Sequence, residues 1–177
     1  MIAQIKSKSV EAFDQLIEQY GDRLYWHIRR IVVQHEEAED VMQETFTRAF
    51  LSIGDFRGET ESSLTAWLYR IATNLAIRAL QKRKRGIFSS LDSVRGDLLA
   101  TFEHEVEPSA DEIVVRLQRA ILSLPTKQRL VFNMRYYDEL SFEQISQATG
   151  QSVSTLKTNY HYAVQKIKEQ VKVIEIE

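Results

Sequence analysis

Residues 141–168 read SFEQISQATGQSVSTLKTNYHYAVQKIK, and their spacing decides the fold of the second half of the chain. Ile145, Ala148, Val153, Leu156, Tyr160, Ala163 and Ile167 recur at helical intervals, with a break at Thr149-Gly150-Gln151. A short helix, a tight glycine turn and a longer helix with its first turns free is helix-turn-helix geometry. Ser154, Thr155, Lys157, Thr158, Asn159, His161, Tyr162 and Lys166 point outward and include side chains that bond phosphates and base edges. No Asp or Glu lies between Glu143 and Glu169. From these residues alone, DNA reading competes with an αα-hairpin that merely packs.

The boundaries upstream are equally legible. Ser141 and Gln144 form a capping-box pattern, with Leu140 and Ile145 placed as a hydrophobic staple. Pro125 ends one helix and Thr126 opens the next. Ser109-Ala110-Asp111-Glu112 predicts a second capping box at the start of this unit.

The first unit reads as three helices. From Ser9, Val10 to Val32 carry apolar residues at three and four, with Gly21 a candidate interruption. A second helix opens near Glu36, where acids suit the positive end of the dipole, and closes at Gly54. Residues 54–63, GDFRGETESS, read as a loop. Ser62 or Ser63 is then expected to cap a third helix reaching Arg85, with Leu64, Trp67, Leu68, Ile71, Leu75 and Ala79 inward.

Composition agrees with an all-α fold: six Gly and two Pro in 177 residues are few for an all-β chain. The division expected is 1–86, a linker 87–108 and 109–177. Residues 87–107 show no sustained period, and residues 87–111 set one cation, Arg95, against six acids, Asp92, Asp97, Glu103, Glu105, Glu107 and Asp111. They read as an acidic flexible tether. The absence of Cys excludes disulfides, thiolate nucleophiles and the usual structural zinc sites. Nothing suggests a membrane span or leader, so the cytoplasm is the expected location.

Two surfaces of the first unit stand out. Arg70, Asn74, Arg78 and Lys82 follow at i+4 steps, a like-charge line that a polyanion would stabilise. Phe56, Trp67 and Tyr69 lie nearby as planes suited to unstacked bases, so a single strand fits as well as a duplex. Conversely, the acidic face with Glu37, Asp40, Gln43, Glu44 and Thr47 would repel phosphates and suits a protein partner. Catalytic patterns are poor. His27, His35, His104 and His161 are scattered with no metal-site spacing and read as surface or half-buried. The S-x-x-K at Ser154–Lys157 lacks its companion motifs. No metal or cofactor is expected.

In order, EDVMQETFTRAF (39–50), FRGE (56–59), WLYRIATNLAIRALQKRKR (67–85) and LPTKQRLVFNMRYYDELSFEQISQATGQSVSTLK (124–157) resemble the extracytoplasmic-function (group IV) sigma factors of the sigma-70 family. The likeness covers residues 9–86 and 109–170. It implies a region 2-like helical domain and a region 4-like helix-turn-helix domain serving core RNA polymerase. The first would open and read the minus-10 element; the second would read the minus-35 element.

The same resemblance implies residue roles. Asp40, Gln43, Glu44 and Thr47 match the segment that docks on the clamp coiled coil of the largest polymerase subunit. Phe56, Arg57, Gly58 and Glu59 match a loop that captures an extruded non-template base, beside Trp67, Arg70, Asn74 and Arg78; Lys82 extends that line. Ser154, Thr155, Lys157, Thr158, Asn159 and His161 match the recognition helix, which here has fewer arginines than in many members. The linker acids match a tether threaded through the polymerase's basic RNA path, and an anti-sigma factor is an implied partner. The rival readings are a stand-alone repressor or activator, which would bind duplex DNA without polymerase, and a nucleic-acid-processing enzyme, which would need clustered carboxylates or a metal set.

Overall fold

The computed structural model describes residues 2–83, 95–106 and 111–172. Among them the regular elements are helical throughout, as expected. The first half holds α1 (Ile2–Lys6), α2 (Val10–Val32), α3 (His35–Ser52), a 3-10 turn (Ile53–Asp55) and α4 (Glu61–Arg83). Then come α5 (Arg95–Glu105), α6 (Glu112–Leu122), α7 (Thr126–Tyr136), α8 (Phe142–Thr149) and α9 (Val153–Lys172). Among the described residues no helix is long and apolar enough to cross a membrane.

Local chemistry sets these boundaries. Ser9 caps α2 by accepting from the Ala12 amide, and α2 runs unbroken through Gly21. The α4 cap is Thr60, not Ser62 or Ser63. Its hydroxyl accepts from the Ser63 amide at 3.2 Å, while Ser63 Oγ accepts from the Thr60 amide. The α6 cap is Asp111, whose carboxylate accepts from the Ile113 amide at 2.8 Å; Ser109, expected there, lies outside the described residues. Ser141 and Gln144 complete their capping box, and Gly150 closes α8 at φ 74°, a conformation that glycine adopts without Cβ strain.

The stretch expected to be a featureless tether contains α5. Leu98 is fully buried in the main core, with Leu99 and Phe102 packed against it. Its acids are not all free: Glu103 lies 3.4 Å from Arg119, and Asp111 is the cap. Asp92 and Glu107 lie outside the described residues, as do Lys84 and Arg85.

One apolar core runs through both halves. It includes Leu24, Ile28, Leu68 and Ala72 from the first and Leu130, Met134, Leu140, Ile145 and Leu156 from the second. Helix α4 is therefore buried on two sides. Leu64, Leu68 and Leu75 are buried as expected, and so are Ala66, Tyr69, Thr73, Ala76 and Leu80, with α8 packed against α4. A polar cluster lies in this seam. His27, expected near the surface, is fully buried, with Nδ1 2.7 Å from Asp138 Oδ2 and Nε2 2.8 Å from Thr73 Oγ1. Arg30 donates to the other Asp138 oxygen at 3.1 Å.

Candidate nucleic-acid interface

The line expected along the third helix is present on α4. Arg70, Asn74, Arg78 and Lys82 are all exposed, because i+4 steps keep them away from both buried sides. Among the described residues Arg70, Arg78 and Lys82 make no ion pair, whereas the next cation, Arg83, is held by Glu37 and the Val32 carbonyl. Unpaired cations in a row raise the local positive potential and leave their donors for a ligand.

At the head of α4 the FRGE loop is folded tightly. Phe56 is buried, and its ring lies 5.1 Å from that of the half-buried Trp67. Gly58 sits beneath that ring: a Cβ there would come within 2.3 Å of Phe56 Cζ and of Ser63 Oγ. Arg57 and Glu59 are exposed. Of the three aromatics expected beside the basic line, only Trp67 keeps a partly open face there. Phe56 supports it from below, and Tyr69 turns into the seam, 4.8 Å from the His27 ring. Burial, and secondarily the neighbouring Asp138 charge, push the Tyr69 phenol well above its ordinary pKa.

On α3, Asp40, Gln43, Glu44 and Thr47 are exposed on one face, opposite the buried Ala38, Val41, Thr45, Phe46 and Ala49. Leu51, one turn beyond Thr47, is 68% exposed and extends this face with an apolar patch. It gave no sign in sequence, where an apolar residue near the end of an amphipathic helix reads as core. A groove of about 580 Å³ separates α3 from α4, with Asp40 and Glu44 on one wall and Arg78 and Lys82 on the other. The acidic and basic faces thus flank a shared groove.

Helix α9 behaves largely as its spacing requires. Leu156, Ala163 and Ile167 are buried, Val153 and Tyr160 half-buried. Ser154, Thr155, Lys157, Thr158 and His161 are exposed and Asn159 half-buried at the edge of the face. Ser152 Oγ accepts from the Thr155 amide at 3.1 Å, fixing the first turn. Thr158 donates to the Ser154 carbonyl, and Lys157 Nζ lies 5.9 Å over the Phe142 ring. Sequence reading missed Arg129, which is buried and donates to the Leu122 carbonyl at the end of α6. An arginine at a polar helix position carries no local sign of such burial.

Residues 16–86 match the family model for Sigma-70 region 2, and residues 115–167 match that for Sigma-70, region 4. The chain is 32% identical to the ECF RNA polymerase sigma factor SigW of Bacillus subtilis (strain 168), over 97% of this chain and 95% of that one. It is 29% identical to the RNA polymerase sigma-H factor of Pseudomonas aeruginosa, over 89% and 85%. Its fold is shared with two solved structures. CnrH in complex with the cytosolic domain of CnrY gives a TM-score of 0.72 at 22% identity, covering 98% and 96% of the two chains. The sigma factor RpoE in complex with the anti-sigma factor NepR from Bartonella quintana gives 0.69 at 20%, covering 93% and 99%.

Proposed function

This chain belongs to the sigma-70 family as an extracytoplasmic-function sigma factor, and from that premise we propose how its surfaces divide the work of starting transcription at a promoter. It binds core RNA polymerase and directs promoter recognition, strand opening and initiation. The chemistry of RNA synthesis stays in the polymerase, and the sigma factor contributes binding and positioning in the cytoplasm.

Residues 1–86 serve as the region 2 domain and 109–177 as the region 4 domain, joined through 87–108. Asp40, Gln43, Glu44 and Thr47 dock on the clamp coiled coil of the largest polymerase subunit, where an acidic helix face steers toward a basic partner. Arg70, Asn74, Arg78 and Lys82 hold the backbone of the minus-10 strand. Trp67 and the loop Phe56, Arg57, Gly58 and Glu59 receive an extruded base, which offsets the few kcal/mol of unstacking. Ser154, Thr155, Lys157, Thr158, Asn159 and His161 read the minus-35 duplex in the major groove. An anti-sigma factor is a further partner, as in the solved NepR complex.

The observation that carries this division is the row of unpaired cations on α4 opposite the acidic α3 face, inside the region 2 match. A stand-alone repressor needs α9 but has no use for that groove. Gel shift and run-off transcription on a promoter library, with and without bacterial core polymerase, test it. Core-dependent binding with strand opening is expected; tight duplex binding by the chain alone, without effect on initiation, would establish the repressor instead.

A further inference from the structure

Helix α1 has five residues, too few to hold a helix in water by themselves, so its place is set by what it packs on. Ile5 is buried in the main core with Ile2 packed against it, and the helix lies on α2 and on the 3-10 turn Ile53–Asp55 that leads into the FRGE loop. These anchors bring Lys6, the last residue of α1, over the Phe56 ring, with Nζ 5.3 Å from its centre. Phe56 lies 5.1 Å from Trp67. The two separations put the ammonium within roughly 10 Å of the indole centre, about one Debye length at 0.1 M salt. A cation from the start of the chain thus stands beside the surface offered to an extruded base.

The exit from α1 fixes that position. Lys8 has φ 58°, a left-handed backbone in which its Cβ crowds the following carbonyl. The Lys8 amide donates to the Ile5 carbonyl at 2.9 Å and the Ser9 amide to the Gln4 carbonyl at 3.2 Å, so the chain turns directly into the Ser9 cap of α2. Packing alone does not call for a cation at Lys6, since an uncharged side chain of the same length would cover Phe56 as well. Among the described residues Lys6 forms no ion pair, although Asp55 on the adjoining turn is exposed. The ring face attracts the charge but leaves the three ammonium donors for other acceptors. Arg70 stands one turn along α4 from Trp67, whereas Lys6 arrives from a separate element by way of Phe56. Cations on two elements can hold separate phosphates of one strand, with the base between them on the indole.

We propose that Lys6 is a further positioning residue of the minus-10 surface: its ammonium binds a backbone phosphate next to the base received at Trp67 and so holds the strand in its extruded form. The inference rests on the sigma reading of α4 and the FRGE loop. The phosphate reaches Lys6 once the base has left the stack and seated on Trp67. The bond therefore favours the opened strand over the duplex instead of raising affinity for both.

The test uses holoenzyme assembled from core polymerase and the full chain, bound to a promoter fork whose minus-10 strand is single and to the same promoter as duplex. Lys6→Ala is expected to weaken fork binding about three- to tenfold, with little change on the duplex, and to reduce the slope of log affinity against log salt by ~0.7. Lys6→Met, which keeps an apolar chain over Phe56, should lose as much, and Lys6→Arg should restore binding. A neutral methylphosphonate is then placed at each linkage around the extruded base in turn. At one linkage the wild type should fall to the level of Lys6→Ala, and Lys6→Ala should lose nothing further. Wild-type binding by Lys6→Met makes Lys6 a packing residue and overturns the inference, as does a Lys6→Ala loss that no single linkage absorbs. Arg78→Ala separates the two readings. Weaker fork binding by Arg78→Ala with none by Lys6→Ala removes Lys6 alone, whereas no loss in either, with no preference for the fork, overturns the sigma reading of α4.

Discussion

The outer face of α4 and the first turns of α9 are both proposed to bind DNA, yet they are built from different chemistry. Over four turns α4 presents three cations and one amide; α9 presents one cation, Lys157, among hydroxyls, an amide and an imidazole. Cations attract any phosphate backbone and lose affinity steeply with salt. Hydroxyls and amides contribute only within hydrogen-bonding distance of a matching base edge. The difference assigns affinity mainly to the first surface and discrimination mainly to the second.

The largest effect is expected on the acidic α3 face, across the groove from the first surface. Asp40→Arg reverses charge on the acidic wall of the groove, and like charges across an interface cost several kcal/mol. Core binding is expected to weaken by ~3 kcal/mol or more, with the helical circular dichroism unchanged because Asp40 is exposed. Normal holoenzyme assembly on a native gel would remove Asp40 from the docking face.

The DNA surfaces are separated by a paired measurement. Lys157→Ala is expected to cost ~1 to 3 kcal/mol on the preferred minus-35 sequence and less on a scrambled one. Arg78→Ala should weaken binding evenly across sequences and reduce the slope of log affinity against log salt by ~0.7 on single-stranded DNA. An even loss for Lys157→Ala would make it a phosphate contact, and the contrast between the two helices would shrink to one of charge density.

Legibility in sequence follows the same contrast between local and distant chemistry. Ser141, Gln144, Gly150 and Pro125 act on backbone within a few residues, so the boundaries of α7, α8 and α9 could be read from spacing. The α4 face was legible because its i+4 line needs only one helix. What was not legible depends on partners far along the chain. His27 and Asp138 are 111 residues apart, and neither has a neighbour that marks burial. Among the described residues, helix α5 meets the core through Leu98, Leu99 and Phe102, too few apolar positions to set up a period. Tyr69, next to a basic line, read as a base-stacking plane because the burial of a second side of α4 could not be foreseen.

The seam also predicts a pH response. The Tyr69 phenol is held above its ordinary pKa by burial first and Asp138 second, so the fold favours the neutral form. That contribution is complete below pH ~10 and is lost as pH rises from there toward the folded value. Thermal melts are therefore expected to drop above pH ~10, and Tyr69→Phe, which keeps the ring against His27, should drop less. Equal alkaline losses in both proteins would place the cause elsewhere.

The smallest expected effect asks whether the two halves are one thermodynamic unit. Gly21 lies inside α2, and an added Cβ there would meet nothing within 4 Å. Gly21→Ala should stabilise the helix by ~0.5 to 1 kcal/mol, because alanine has less backbone freedom to lose on folding. For a chain of this size that raises the melting temperature by roughly 1 to 4 °C. If the seam couples the halves, a probe in α9 should register the same shift as one in α2, although the substitution touches only the first half. Separate transitions, with α9 unmoved, would mean that the two proposed DNA surfaces sit on independently melting domains and that the polar cluster between them does not couple the halves.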